Sequence, residues 1–146
     1  PITNFDILFP TQHLWGEFFD HPEKIGLMQR LTSIRDLGEP DNYVIIGRLI
    51  DRNLNDLNEY NKVQKRGHKL DDNTLYLNII VEDDYDSIMC SIGRYDYERL
   101  GGRIIAEQAK VGEDWFLVKG KLGSKWRGIT VDEILNLTEW STQNAN

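Results

Sequence analysis

Cysteine is almost missing from this chain. Cys90 is the single one in 146 residues, which excludes an internal disulfide and any zinc site built on cysteine ligands. His13, His21 and His68 are scattered, with no pair at metal-ligand spacing. No apolar run approaches the ~18 residues of a membrane-spanning helix, and PITNFDILFP lacks the basic flank of a signal peptide. The expectation is a soluble, cytoplasmic protein. The sequence holds no internal repeat, P-loop, nucleophile elbow or dinucleotide fingerprint, and Glu98 and Glu107 do not make a defensible acid and base pair. A non-catalytic module with no cofactor and no metal is therefore expected. Asp83, Asp84 and Asp86 lack calcium-loop spacing and read as a turn.

Positive charge is also short: 17 basic side chains face 24 acidic ones, for a net charge of -7. Phosphate binding depends on Lys and Arg, so this balance counts against a nucleic-acid partner. The deficit is uneven, however. Residues 1 to 42 carry three basic and seven acidic side chains, whereas residues 43 to 136 carry fourteen and sixteen. A near-neutral module can still gather cations locally, and binding responds to the local field.

What is present is a change of period. In residues 1–42, Trp15, Phe18 and Phe19 form an aromatic knot, and Ile25, Met28, Leu31 and Ile34 repeat at helical spacing until Leu37-Gly38-Glu39-Pro40. These residues read as a short helical extension packed on the domain that follows. From Tyr43 the period becomes two. YVIIGRLIDR is a first strand with Gly47 at a bend, and Leu54 to Asp72 is a polar connection. NTLYLNIIVED then alternates, with Leu75, Leu77, Ile79 and Val81 inward and Tyr76, Asn78 and Ile80 outward. After the acidic turn, SIMCSIG puts Ile88, Cys90 and Ile92 inward and Ser87, Met89 and Ser91 outward. RYDYERLGGRIIAEQ reads as a plug helix with Tyr97, Leu100, Ile104 and Ile105 on one face, weakened or broken at Gly101-Gly102. WFLVKGKL and WRGITVDEILNL supply the last two strands, and 138–146 is a tail. Three strands, a helix and two strands match a mainly β, five-stranded Greek-key OB barrel over residues 43–137.

The middle of the chain resembles the OB domain of the bacterial DNA polymerase III alpha subunit, the C-family replicative polymerase. Val81-Glu82-Asp83, Ser87-Ile88, Tyr97-Glu98-Arg99-Leu100 and Val118-Lys119-Gly120-Lys121-Leu122 stand in that family's order. Gly93-Arg94 replaces the family's aromatic-proline pair and the first loop is long, as in a divergent, phage-type relative. The resemblance implies contact with single-stranded template DNA, and with other domains or subunits of a replication complex. The catalytic carboxylates would lie in another domain.

OB barrels bind oligonucleotides across strands two and three, between the first long loop and the loop joining strands four and five. Base stacking needs exposed aromatic faces, and phosphates need cations. Tyr76 and Trp126 are the stacking candidates, with Asn78 as a hydrogen-bond partner. Arg48, Lys62, Lys65, Arg66, Lys69, Lys119, Lys121, Lys125 and Arg127 are the candidate phosphate contacts. Each has a structural alternative: Tyr76 paired across strands with Met89, Trp126 packed on the N-terminal segment, the lysine-rich loop merely solvated. Single-stranded DNA is the expected partner, with RNA as a variant. A protein-docking OB module and a tRNA anticodon-binding barrel are the competing functions.

Overall fold

A computed structural model describes residues 31–59 and 73–143. The expectations placed on His13, Trp15, Phe18, Phe19, His21, Ile25 and Met28, and on Lys62, Lys65, Arg66, His68 and Lys69, lie outside those residues.

Five strands close into a barrel: β1 (Asn42–Asp56), β2 (Leu75–Glu82), β3 (Ser87–Ile92), β4 (Trp115–Leu122) and β5 (Gly128–Asn136). Their order around the barrel is β1-β2-β3-β5-β4, and β4 returns to β1. All pairs are antiparallel except β3 with β5, which run parallel over Met89–Ser91 and Gly128–Thr130. This is the OB-like arrangement expected, and closure leaves no long sheet edge to aggregate.

Alternation in the sequence becomes the core. Leu77, Ile79 and Val81 of β2, Ile88, Cys90 and Ile92 of β3, and Phe116, Val118 and Leu122 of β4 meet inside the barrel, all fully or nearly fully buried. Gly120, buried in the same strand, has no room for a side chain, because a methyl group there would lie 2.1 Å from the Thr130 carbonyl oxygen. A bulge lies beside it, between Lys119 and Gly120. A second bulge, between Leu49 and Asp51, bends β1 where it leaves β4 and continues against β2 alone.

Helix α1 (Gly102–Gln108) plugs the barrel between β3 and β4 with Ile105. The helix expected from Tyr97 onward is split: residues 94–100 form turns, and Gly101 at φ +70° starts the helix afresh. Gly102 follows with no room for a side chain, because a Cβ would sit 2.4 Å from the Tyr97 ring. Ile104 departs from the expected inward face and is 55% exposed. Arg52 closes the far end of α1, donating from Nη1 to the carbonyls of Ile105, at 2.9 Å, and Ala109.

Two further differences concern the flanks. Leu31 and Ile34 do not continue a helix. Leu31 bridges Val44 in parallel, and Ile34–Asp36 is a single 3-10 turn whose Ile34 is fully buried. Tertiary contacts override the local period, since Asp83 Oδ2 accepts the Ile34 N–H at 2.8 Å. The expected tail instead contains helix α2 (Leu137–Gln143). Asn136 Oδ1 caps it by accepting the Glu139 N–H at 3.0 Å. Leu137 packs with Val44, Trp115 and Leu117, so α2 covers the outside of β1 and β4.

Candidate nucleic-acid interface

With α2 over one outer face, the outward face of β2, β3 and the second half of β1 is not covered by it among the described residues. Register lays its side chains out in rows. Asn55 stands opposite Tyr76, and Asn53 opposite Asn78, which is opposite Ser91, which is opposite Thr130 of β5. Next come Asp51, Ile80, Met89 and Gly128, and last Arg48, Glu82 and Ser87. An aromatic ring thus adjoins a band of amides and hydroxyls, followed by an apolar band. Met89 is 38% exposed, although inward-facing Ile88 and Cys90 on either side of it are buried. Asn53, Ile80, Met89, Ser91 and Thr130 were not singled out from sequence. Their alternation was visible, but the rows depend on register between distant strands.

Tyr76 stands half-buried opposite Asn55 and not opposite Met89, whose partner on β2 is Ile80. The proposed cross-strand pair of Tyr76 with Met89 is therefore absent. Asn78 Oδ1 accepts a hydrogen bond from Ser91 Oγ at 2.7 Å, which holds its amide in place.

The loop from Gly123 to Arg127 stands at the opposite end of this face. Strand geometry puts Tyr76 about 13 Å from Ile80 along β2, so Tyr76 and Trp126 mark two ends of the face. The Trp126 indole lies on a seat of two glycines: a methyl at Gly128 would fall 1.7 Å from its Cζ3, and one at Gly123 2.9 Å from its Nε1. It remains 44% exposed. Trp126, Lys125 and Ser124 border an open groove of about 340 Å³ that reaches Gly38.

The cations divide into two groups. Arg48 is ion-paired with Glu82, and Lys119 lies 3.8 Å from Glu133 on the neighbouring strand. Arg127 is tied most tightly: Nη1 donates to Leu37 O at 3.2 Å, and Nη2 to Ile34 O at 2.9 Å and Asp86 Oδ2 at 3.2 Å. It stitches the 3-10 turn and the β2–β3 turn to the β4–β5 loop, so a phosphate would have to displace these bonds. Lys121 and Lys125 are exposed and have no ion pair among the described residues.

The acidic turn has a structural use. Asp83 Oδ1 accepts the N–H groups of Tyr85 and Asp86, at 2.9 and 3.0 Å, and Asp86 Oδ1 accepts that of Ser87 at 2.8 Å. Among the described residues no group of three His, Cys, Asp or Glu side chains is placed to hold a metal ion. Burial pushes the Cys90 thiol up to about 12, which keeps it protonated and unreactive near neutrality. Among the described residues no helix is long and apolar enough to cross a membrane. No protein-family model and no curated protein matches the chain, so the fold and the rows of side chains described above carry its functional reading.

Proposed function

We propose that this barrel binds single-stranded nucleic acid, DNA in the context of replication, along this face from Tyr76 to Trp126. One observation carries the reading: the uncharged rows of Asn78 with Ser91 and Ile80 with Met89 on β2 and β3, followed by the Arg48–Glu82 ion pair, lie between Tyr76 at one end and Trp126 with Lys125 at the other. Bases stack on such surfaces at ~1 to 3 kcal/mol each. The amide and hydroxyl band offers hydrogen bonds between the stacking positions. The module is not itself catalytic in this reading, and it needs no cofactor or metal. Its resemblance to the OB domain of the C-family polymerases supports a place within or beside a replicative polymerase, in the cytoplasm.

Fluorescence anisotropy with labelled oligonucleotides tests this. Binding to single strands is expected to weaken with salt and with Tyr76→Ala or Trp126→Ala. Flat titrations at low salt refute it.

A second reading, a protein-docking module, is favoured by one feature. A groove of about 220 Å³ between α1 and α2 is lined by Leu100, Ile104, Ile134 and Trp140, with Ile104 largely exposed. Affinity for a replication partner that Ile104→Glu abolishes, together with no affinity for oligonucleotides, would decide for it.

A further inference from the structure

The last row of the β2–β3 face, Glu82 with Ser87, leads directly into the turn between the two strands, and that turn carries an exposed aromatic. Tyr85 is 46% exposed, and the Arg35 guanidinium lies over its ring, 3.8 Å from the centroid. One carboxylate sets the two segments side by side. Asp83 Oδ1 accepts the N–H groups of Tyr85 and Asp86, which fixes the turn, while Oδ2 accepts the Ile34 N–H at 2.8 Å, one residue before Arg35. Arg127 anchors the same 3-10 turn through the Ile34 and Leu37 carbonyls. Asp86 is itself engaged, by Arg127 and by the Ser87 N–H. Arg35 is exposed and is in no ion pair among the described residues. A guanidinium stacked on an aromatic lays its flat face on the ring and keeps its N–H donors in the plane, where two of them match two phosphate oxygens at once.

We propose that Arg35, seated on Tyr85, binds a backbone phosphate of a single strand where the strand leaves the β2–β3 face, with Tyr85 as the positioning residue. The inference rests on the proposed binding of single strands to this face and adds where the strand leaves it. Met89 and Ser87 alternate outward along β3 toward the turn, about 7 Å apart. The Trp126 indole lies over Gly128, the register partner of Met89. A base held at Met89 and Trp126 is therefore next to the end of the face at which Arg35 stands. Asp36 and Asp84 lie on the same two turns, so the attraction is a directed bond from one guanidinium and not the pull of a broad positive patch.

Salt titrations with labelled oligothymidine test this. Arg35→Gln is expected to weaken binding about three- to tenfold at low salt and to flatten the log–log slope by about 0.7, the share of one phosphate on a single strand. Arg35→Lys keeps the charge and should keep the slope. Tyr85→Phe should bind as the parent does, whereas Tyr85→Leu should lose affinity, with little further loss when combined with Arg35→Gln. Urea midpoints should not move, because both side chains are exposed. Two further probes carry neutral methylphosphonate linkages at one end or the other, and on one of them the parent and Arg35→Gln should bind alike. An unchanged affinity and slope in Arg35→Gln, a loss accompanied by a lowered urea midpoint, or a loss that persists on both neutral-ended probes overturns the inference while leaving strand binding intact. Failure of the parent protein to bind any oligonucleotide overturns the binding reading, and this inference with it.

Discussion

Replacing Arg127 with alanine separates folding from binding at a residue whose charge suggests the second and whose bonds indicate the first. Its guanidinium donates to two main-chain carbonyls, Ile34 O at 2.9 Å and Leu37 O at 3.2 Å, and pairs with Asp86 at 3.2 Å. Both carbonyls belong to buried residues of the 3-10 turn region, so truncation leaves acceptors without this donor. Each bond contributes about 1 kcal/mol. The Asp86 pair is 45% exposed on both sides, and such a pair adds no more than about 0.5 kcal/mol after solvent screening. The expected loss is therefore about 2 to 3 kcal/mol, read in urea as a midpoint lowered by about 1 to 2 M at an unchanged slope. Arg127→Lys should recover less than half of it, because a single ammonium cannot span three acceptors in the fixed fork of a guanidinium. Lys125→Ala, two residues away and exposed, should stay within about 0.5 kcal/mol of the parent. An unchanged midpoint in Arg127→Ala, with weakened oligonucleotide binding, would refute this account and return Arg127 to the ligand.

The salt dependence of binding counts the cations at work. If Lys121 and Lys125 alone meet phosphates, the log–log slope is about -1.4, and engagement of Lys62, Lys65, Arg66 and Lys69 as well would steepen it to about -4. Gly120→Ala should destabilise the barrel by about 3 kcal/mol or more in thermal unfolding, because its methyl meets a backbone oxygen at 2.1 Å that β5 cannot move. Gly128→Ala is expected to unseat the Trp126 indole, seen as a red shift and increased quenching of fluorescence. Cys90 should resist a thiol reagent at pH 8 in the native protein and react fully in denaturant. Its folded-state value is raised from the ordinary 9.0 to about 12, so the unfolded chain releases the proton first. Stability from this group is complete below pH 9 and falls as pH rises from there toward 12. A rapid native reaction at pH 8 would contradict the burial.

Several parts of the architecture were legible because they obey short-range rules. WFLVKGKL forms β4 over the residues where its alternation places it, and SIMCSI buries Ile88, Cys90 and Ile92 as its period of two requires. Gly101 interrupts the helical pattern where glycine adjoins glycine. The misreadings share a cause. Leu31 and Ile34 have helical spacing, yet a bridge to Val44, a bond from the Ile34 N–H to Asp83 and one from Arg127 to the Ile34 carbonyl outweigh it. In LTEWSTQ the helical period is too short to show, and α2 forms through its Asn136 cap and its packing on Trp115 and Leu117.

By itself, then, the sequence determined the number, order and inward faces of the strands, because alternation and turn residues act over a few positions. Only the tertiary structure decided which outer face α2 covers, which cations are spent on ion pairs and turns, and that Ser91 meets Asn78. Those outcomes depend on register between segments far apart in the chain. A shift of one residue in that register would turn each of these side chains to the other side of the sheet.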